Sequence, residues 1–158
     1  MKKIQVGFLV SYDYELLKNS LPRVYEESDT IILAIDKERK TWNGDSFSIN
    51  DSFFAWIKEI DILNKVSIYE DDFYVADLST MECEVRERKM LSEKMGIGNW
   101  LIQLDADEYF IDFEGFVNVV EMKARIYNGN TCEDAEIWDE NSLHISCTEI
   151  SGESGSVR

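Results

Sequence analysis

Asn99-Trp100-Leu101-Ile102-Gln103-Leu104-Asp105-Ala106-Asp107-Glu108 decides how the rest of the chain is read. The run from Trp100 to Leu104 is short, apolar apart from Gln103, and ends abruptly in acids. That is the pattern of a buried strand meeting solvent at its carboxyl end. Carboxylates at i and i+2 past such a strand project toward a common opening as the chain turns. Hard oxygen ligands there suit Mg²⁺ or Mn²⁺ carrying a diphosphate, and open α/β sheets bind ligands at this edge. A metal-and-nucleotide site is the first hypothesis. Its rival is a solvated acidic turn, because D-x-D alone is common; Glu108 reads as an outer-sphere group or a solvated acid.

Outward from this stretch, strands and helices alternate. Ile4 to Val10 is apolar and uncharged, a first strand buried on both faces. Ser11-Tyr12-Asp13 offers a turn and helix cap, and Tyr14 to Ser20 reads as helix. Pro22 favours a first helical turn, so the helix is expected to restart there and run to about Glu26. Thr30 to Ile35 is a second strand, ending at Asp36. Residues 37–50 form a polar loop that nonetheless holds Trp42 and Phe47. Asp51 or Ser52 is expected to cap a helix through Ile60, and Val66 to Tyr69 is a third strand.

Ser79 and Glu82 form a capping box. The helix they open should run to about Met95, with Gly96 past its end. Helical spacing places Met81, Val85, Arg88, Ser92 and Met95 on one stripe flanked by Leu91, with Arg88 near the middle of the buried face. A last helix is expected over Phe113 to Tyr127. The alternation predicts a three-layer α/β/α domain over residues 1–128, with a mainly parallel sheet and right-handed crossovers. Residues 129–158 are acidic and polar and read as partly disordered, with short strands at Ile137-Trp138 and Leu143 to Cys147.

Composition narrows the function classes. With 158 residues, 44% of them hydrophobic, a single domain with a sizeable core is expected. Sixteen Lys and Arg against 32 acids give a formal charge of −16, which argues against nucleic acid or an anionic membrane as a broad-surface partner. No apolar run approaches a membrane span and no signal peptide is read, so the expected location is cytoplasmic, or peripheral at the inner membrane face. Cys83, Cys132 and Cys147 are widely spaced, without a zinc pattern, and suit a reducing compartment.

Five residues stand out as site candidates. Asp105 and Asp107 are the metal candidates. Asp36, at the same sheet edge, reads either as a base or ribose acceptor or as a loop-capping acid. Arg88, on an apolar stripe, needs a partner: Asp105, Asp36 or a bound phosphate. Tyr12, just past the first strand, reads as pocket wall or packing, and Trp42 likewise. His144 is a weaker metal candidate. No P-loop, G-x-G-x-x-G or G-x-S-x-G signature occurs.

Taken in order, the first strand, Ile32 to Asp36, Arg86-Glu87-Arg88-Lys89-Met90-Leu91 and Ile102-Gln103-Leu104-Asp105-Ala106-Asp107-Glu108-Tyr109-Phe110 resemble the family 2 glycosyltransferases, of GT-A fold. The resemblance runs from about Lys3 to Phe116. It implies a nucleotide-diphosphate sugar donor and Mn²⁺ or Mg²⁺. It implies Asp36 at the base or ribose, a basic residue of the Arg88 helix near the nucleotide, Asp105 at the ribose or metal, and Asp107 at the metal.

Two features depart from the family. Asp36-Lys37-Glu38-Arg39-Lys40 replaces its acid-rich stretch after the second strand. The half that would supply an acceptor site and catalytic acid is short here, and Glu133-Asp134 is not assigned that role. The expected protein is therefore a glycosyltransferase, or its donor-binding half. Its acceptor is a glycan, a lipid-linked saccharide or a protein. The alternatives are a non-catalytic nucleotide- and metal-binding module and a nucleotidyltransferase.

Overall fold

Ile4–Val10 forms β1, and all seven of its residues are buried. It lies in the middle of a parallel sheet between β2 (Thr30–Asp36) and β4 (Trp100–Asp105). The edges are β3 (Val66–Asp71) beside β2 and β5 (Leu143–Ser146) beside β4, giving the order β3-β2-β1-β4-β5. The structure is a computed structural model and describes residues 2–127 and 143–146. Among the described residues, four α-helices accompany the strands: α1 (Leu17–Tyr25), α2 (Asp51–Ile60), α3 (Thr80–Met95) and α4 (Phe113–Tyr127).

Because side chains alternate along a strand, β1 feeds two cores. Ile4, Val6, Phe8 and Val10 point to one face, where Leu17, Leu21 and Val24 of α1, Phe53 and Ile57 of α2, and Phe113 and Val117 of α4 meet them. Leu9 points to the other, with Leu91 and Met95 of α3 and Ile32, Ala34 and Leu101 of the sheet. Helices thus cover both faces, as a parallel sheet requires.

On the α3 face, polar strand residues are satisfied by the helix backbone. Gln5 donates to the Met95 carbonyl at 2.9 Å. Gln103 donates to the Arg88 carbonyl and to Ser92 Oγ, both at 2.8 Å. Gly7 lets α3 lie close. A Cβ there would sit 2.8 Å from Leu91 Cδ2 and 3.0 Å from Met95 Sδ, an overpacking that costs about 1–3 kcal/mol.

The connections position the strand ends. From β1 through α1, β2 and α2 to β3, the chain steps one way across the sheet with its helices on one face. After β3, α3 returns over the opposite face to β4, on the far side of β1. The carboxyl ends of β1, β2 and β4 therefore lie together, with α1, α2 and α4 packed on one face of the sheet and α3 on the other. Leu9 pairs with Asp105 and Asp36 with Asp71, so the strands end at nearly one level.

Several expectations are corrected. Pro22 lies inside one continuous helix rather than opening a second: a 3₁₀ turn at Tyr14–Leu16 leads into α1, and buried Leu17, Leu21 and Val24 hold both sides of the proline to the core. Asn50, not Asp51 or Ser52, caps α2, its side chain accepting from the Ser52 N–H at 2.9 Å. β3 continues through Glu70 and Asp71. The capping box of α3 is present, with Gly96 at φ 82° past its end. The buried stripe of that helix is Cys83, Glu87, Leu91 and Met95, whereas Met81 is 67% and Val85 59% exposed.

In the C-terminal segment expected to be partly disordered, Leu143–Ser146 is a parallel strand, part of the run expected there. Ile137-Trp138, Glu133-Asp134, Cys132 and Cys147 lie outside the described residues. Among the described residues, no helix is long and apolar enough to cross a membrane.

Candidate functional site

The turn after β4 is held from three sides. The Asp105 N–H donates to Glu108 Oε2 at 2.9 Å and the Glu108 N–H returns to the Asp105 carbonyl at 3.1 Å. Glu108 is therefore a turn-former, with one carboxylate oxygen engaged by the backbone. Ser20 of α1 donates to the carbonyl of buried Ala106 at 3.0 Å. From the other face of the sheet, Arg88 Nη2 donates to Asp105 Oδ1 at 2.9 Å, while its Nε donates to Glu84 Oε1 at 3.0 Å. One guanidinium fork thus locks the Asp105 rotamer from α3. Asp105 Oδ2 has no hydrogen-bond partner among the described residues. Burial pushes the Asp105 carboxyl up to about 6; Arg88 opposes that rise, and Glu108, Glu84 and Asp107 add to it.

A cavity of about 250 Å³ opens at this corner. Residues 9–13, leaving β1, form one wall, and Asp36 with residues 40–43 forms another. Thr80 and Glu87 of α3 and Asp105 and Asp107 after β4 complete it. Tyr12, Asp36, Asp105 and Asp107 are therefore brought together around one opening. Arg88 is not part of the lining and reaches the cavity only through Asp105. Tyr12 is 72% exposed and Asp107 is also exposed, so both sit at the mouth.

Asp36 has a different role from the acid at β4. Its Oδ1 accepts from the N–H groups of Glu38 and Lys40, and its Oδ2 from those of Phe73 and Tyr74, all at 3.0 Å. Four backbone donors fill the acceptor sites of a carboxylate. Of the two roles open to Asp36, these contacts describe the loop-capping one: it clamps the loop after β2 to the segment after β3. The base or ribose contact would have to displace one of them.

Glu87 is the site residue that sequence reasoning passed over. It is only 5% exposed, yet it lines the cavity, and its Oε2 accepts from Trp42 Nε1 at 2.6 Å. Burial pushes its carboxyl up to about 8. The Trp42 N–H and Arg88 hold it down somewhat, and Asp36 and Asp105 push it further up. The signal was present in the spacing Cys83, Glu87, Leu91, Met95, a strict i, i+4 row with one acid in it. Choosing the apolar Met81 and Val85 as anchors rotated the inferred face away from it.

The Trp42 loop is itself well anchored. Lys40 and Ser46 form an antiparallel bridge. Gly44 turns the chain at φ +86°, where a Cβ would lie 2.6 Å from the Tyr74 hydroxyl.

Among the described residues, no group of three or more His, Cys, Asp or Glu side chains converges to hold a metal. The β4 corner offers an unpartnered Asp105 Oδ2 and the exposed Asp107 carboxylate, hard oxygen donors that would suit a divalent cation retaining most of its water. His144 lies in β5, one strand beyond this corner. No family model matches the chain, and no curated protein matches it.

Proposed function

We propose that this chain is a metal-dependent glycosyltransferase of GT-A type, or its donor-binding half, taking a nucleoside-diphosphate sugar. The observation that carries the reading is the position of the cavity. It lies at the carboxyl ends of β1, β2 and β4, with Asp105 and Asp107 at its mouth and the aromatic side chains of Trp42 and Tyr12 on its walls. A flat nucleoside, two phosphates and a divalent cation together match aromatic walls that end in two carboxylates.

Asp105 and Asp107 would hold the cation, which when bound neutralises charge on a departing diphosphate. The chain's other residues prepare that site. Arg88 fixes the Asp105 carboxylate so that little reorganisation is needed on binding. Asp36 and the Trp42–Glu87 contact hold the loop after β2 against the opening. The acceptor is a glycan, a lipid-linked saccharide or a protein, and no base for it is assigned.

Calorimetry with uridine and guanosine diphosphates, with and without Mn²⁺, tests the reading. Metal-dependent binding of one of them is expected; no binding to any nucleotide removes it. Hydrolysis of the matching donor sugar separates a transferase from a module that only binds.

A further inference from the structure

Two buried acids line the cavity, and the fold uses them differently. Asp36 has both oxygens filled by backbone N–H groups. Glu87 has one oxygen engaged, Oε2, by the Trp42 indole. Its Oε1 has no hydrogen-bond partner among the described residues. No solvent-excluded side-chain oxygen or nitrogen there lacks one, so Oε1 keeps some exposure, and Glu87 lines the cavity.

We propose that Glu87 is the specificity-determining residue for the nucleobase, with Oε1 hydrogen-bonding the edge of a planar heteroaromatic ring that enters the cavity. This rests on the nucleotide-donor reading above and adds the part of the donor that is recognised.

Three observations favour the base over the diphosphate as the partner of Glu87. The cavity's exposed carboxylate, Asp107, is at the mouth, whereas Glu87 is buried in its wall. Trp42, which also lines the cavity, holds the Glu87 carboxyl, so a ring meeting that wall meets the acid beside it. The wall around it is also unsuited to an anion, being mostly acidic. The charged groups acting on it are Asp36 from β2, Asp105 from β4 and Arg88 on its own helix, and Asp13, Lys40 and Asp107 line the same cavity. Lys40 Nζ is turned to the Gly44 carbonyl and Ser46 Oγ.

With its carboxyl pushed up to about 8 by burial, Glu87 carries a proton at neutral pH. With Oε2 engaged by Trp42, a proton on Oε1 would be the one available to a ligand in the cavity. The complement is a carbonyl oxygen or ring nitrogen on the base. A buried site that donates to such an atom rejects an analogue lacking it, because its own donor is then left unpaired.

Calorimetry on the full chain with Mn²⁺ tests this. The probes are uridine, cytidine, guanosine and adenosine diphosphates and inorganic diphosphate, and the proteins are the unaltered chain, E87Q and E87A. The unaltered chain is expected to prefer some bases over others. E87A should weaken the preferred nucleotide by about tenfold or more, narrow the spread among bases, and leave inorganic diphosphate within about twofold. E87Q keeps an acceptor for Trp42 and turns an N–H to the cavity, so it should stay within about threefold of the unaltered chain.

Equal loss for nucleotides and inorganic diphosphate in E87A would make Glu87 a strut of the whole cavity and overturn the proposal. So would full retention in E87A, a lack of base preference in the unaltered chain, or an E87Q as weak as E87A. An unaltered chain that binds no nucleotide removes the donor reading itself, and this proposal with it.

Discussion

Asp36 and Asp105 end the two strands that flank β1, and each comes after an apolar run, yet they are put to opposite uses. Asp36 is 5% exposed, with four backbone N–H groups on its two oxygens. Asp105 has a side chain 32% exposed, one oxygen on Arg88 and the other without a partner among the described residues. The difference comes from the path the chain takes on leaving each strand. After β2 the chain folds back over its own end, and the segment after β3 closes in from the side, so backbone donors surround the carboxylate. After β4 the chain turns away, held by Glu108 and Ser20, and one oxygen of Asp105, which lines the cavity, keeps no partner among the described residues. One corner is closed by backbone donors and the other keeps a carboxylate oxygen without a partner among the described residues.

The largest effect is expected from breaking the closed corner. Asp36→Ala leaves four backbone N–H groups without their acceptor and should cost about 3 kcal/mol or more; urea unfolding reads it. Asp36→Asn should cost less than the alanine change. A loss for D36A as small as that of an exposed-site change would mean that water replaces the carboxylate, and the contrast between the corners would fail.

The open corner should behave the other way. Asp107→Ala is expected to abolish the metal-dependent part of nucleotide binding, a loss of about tenfold or more, with the melting temperature nearly unchanged. Chelating the metal from the unaltered chain should produce the same loss. Unchanged affinity would take Asp107 out of the metal role.

Between the two corners lies Glu87, whose effect is read through pH. Its carboxyl holds a proton up to about 8 in the folded chain, against an ordinary 4.5 in the unfolded one. Within that window the folded state binds more protons, so the stabilising contribution is complete at low pH and is lost as pH rises toward 8. The slope approaches about 1.4 kcal/mol per pH unit. Thermal melts from about pH 5 to 9 should show this fall relative to E87Q, which has no carboxyl at 87 to titrate. Parallel curves for the two proteins would mean that Glu87 is already ionised in the fold.

The smallest effect belongs to Arg88→Lys. An ammonium cannot span Glu84 and Asp105 as the guanidinium fork does, and about 1 kcal/mol of stability should be lost. Nucleotide affinity should fall modestly as Asp105 gains rotational freedom. A double-mutant cycle with Asp105→Asn checks whether the two positions are coupled.

The strands were readable because each is a short apolar run bounded by polar residues, and a central parallel strand needs apolar side chains on both faces. The capping box of α3 and the limits of α4 were equally legible, being local in sequence. Asn50 was missed as a cap because Asp51 and Ser52 compete for the same role, and only the backbone path at Asn50 decides it. The Asp105 corner was recognised from i, i+2 acids at a strand end. Glu87 was not, because a periodicity reading counts an acid as solvent-facing unless something shows its partner, and that partner, Trp42, lies 45 residues away.

By itself, then, the sequence determined the alternation of elements, the burial of β1, β2 and β4, and the acidic end of β4, all of which stem from local composition and period. The tertiary structure decided which carboxylate is consumed and which is left open. Asp36 and Asp105 look alike as residues after an apolar run. What separates them is what distant segments bring: the backbone N–H groups of Phe73 and Tyr74 complete the shell of Asp36, whereas only the Arg88 guanidinium reaches Asp105, and both meet their acid only once the sheet has formed.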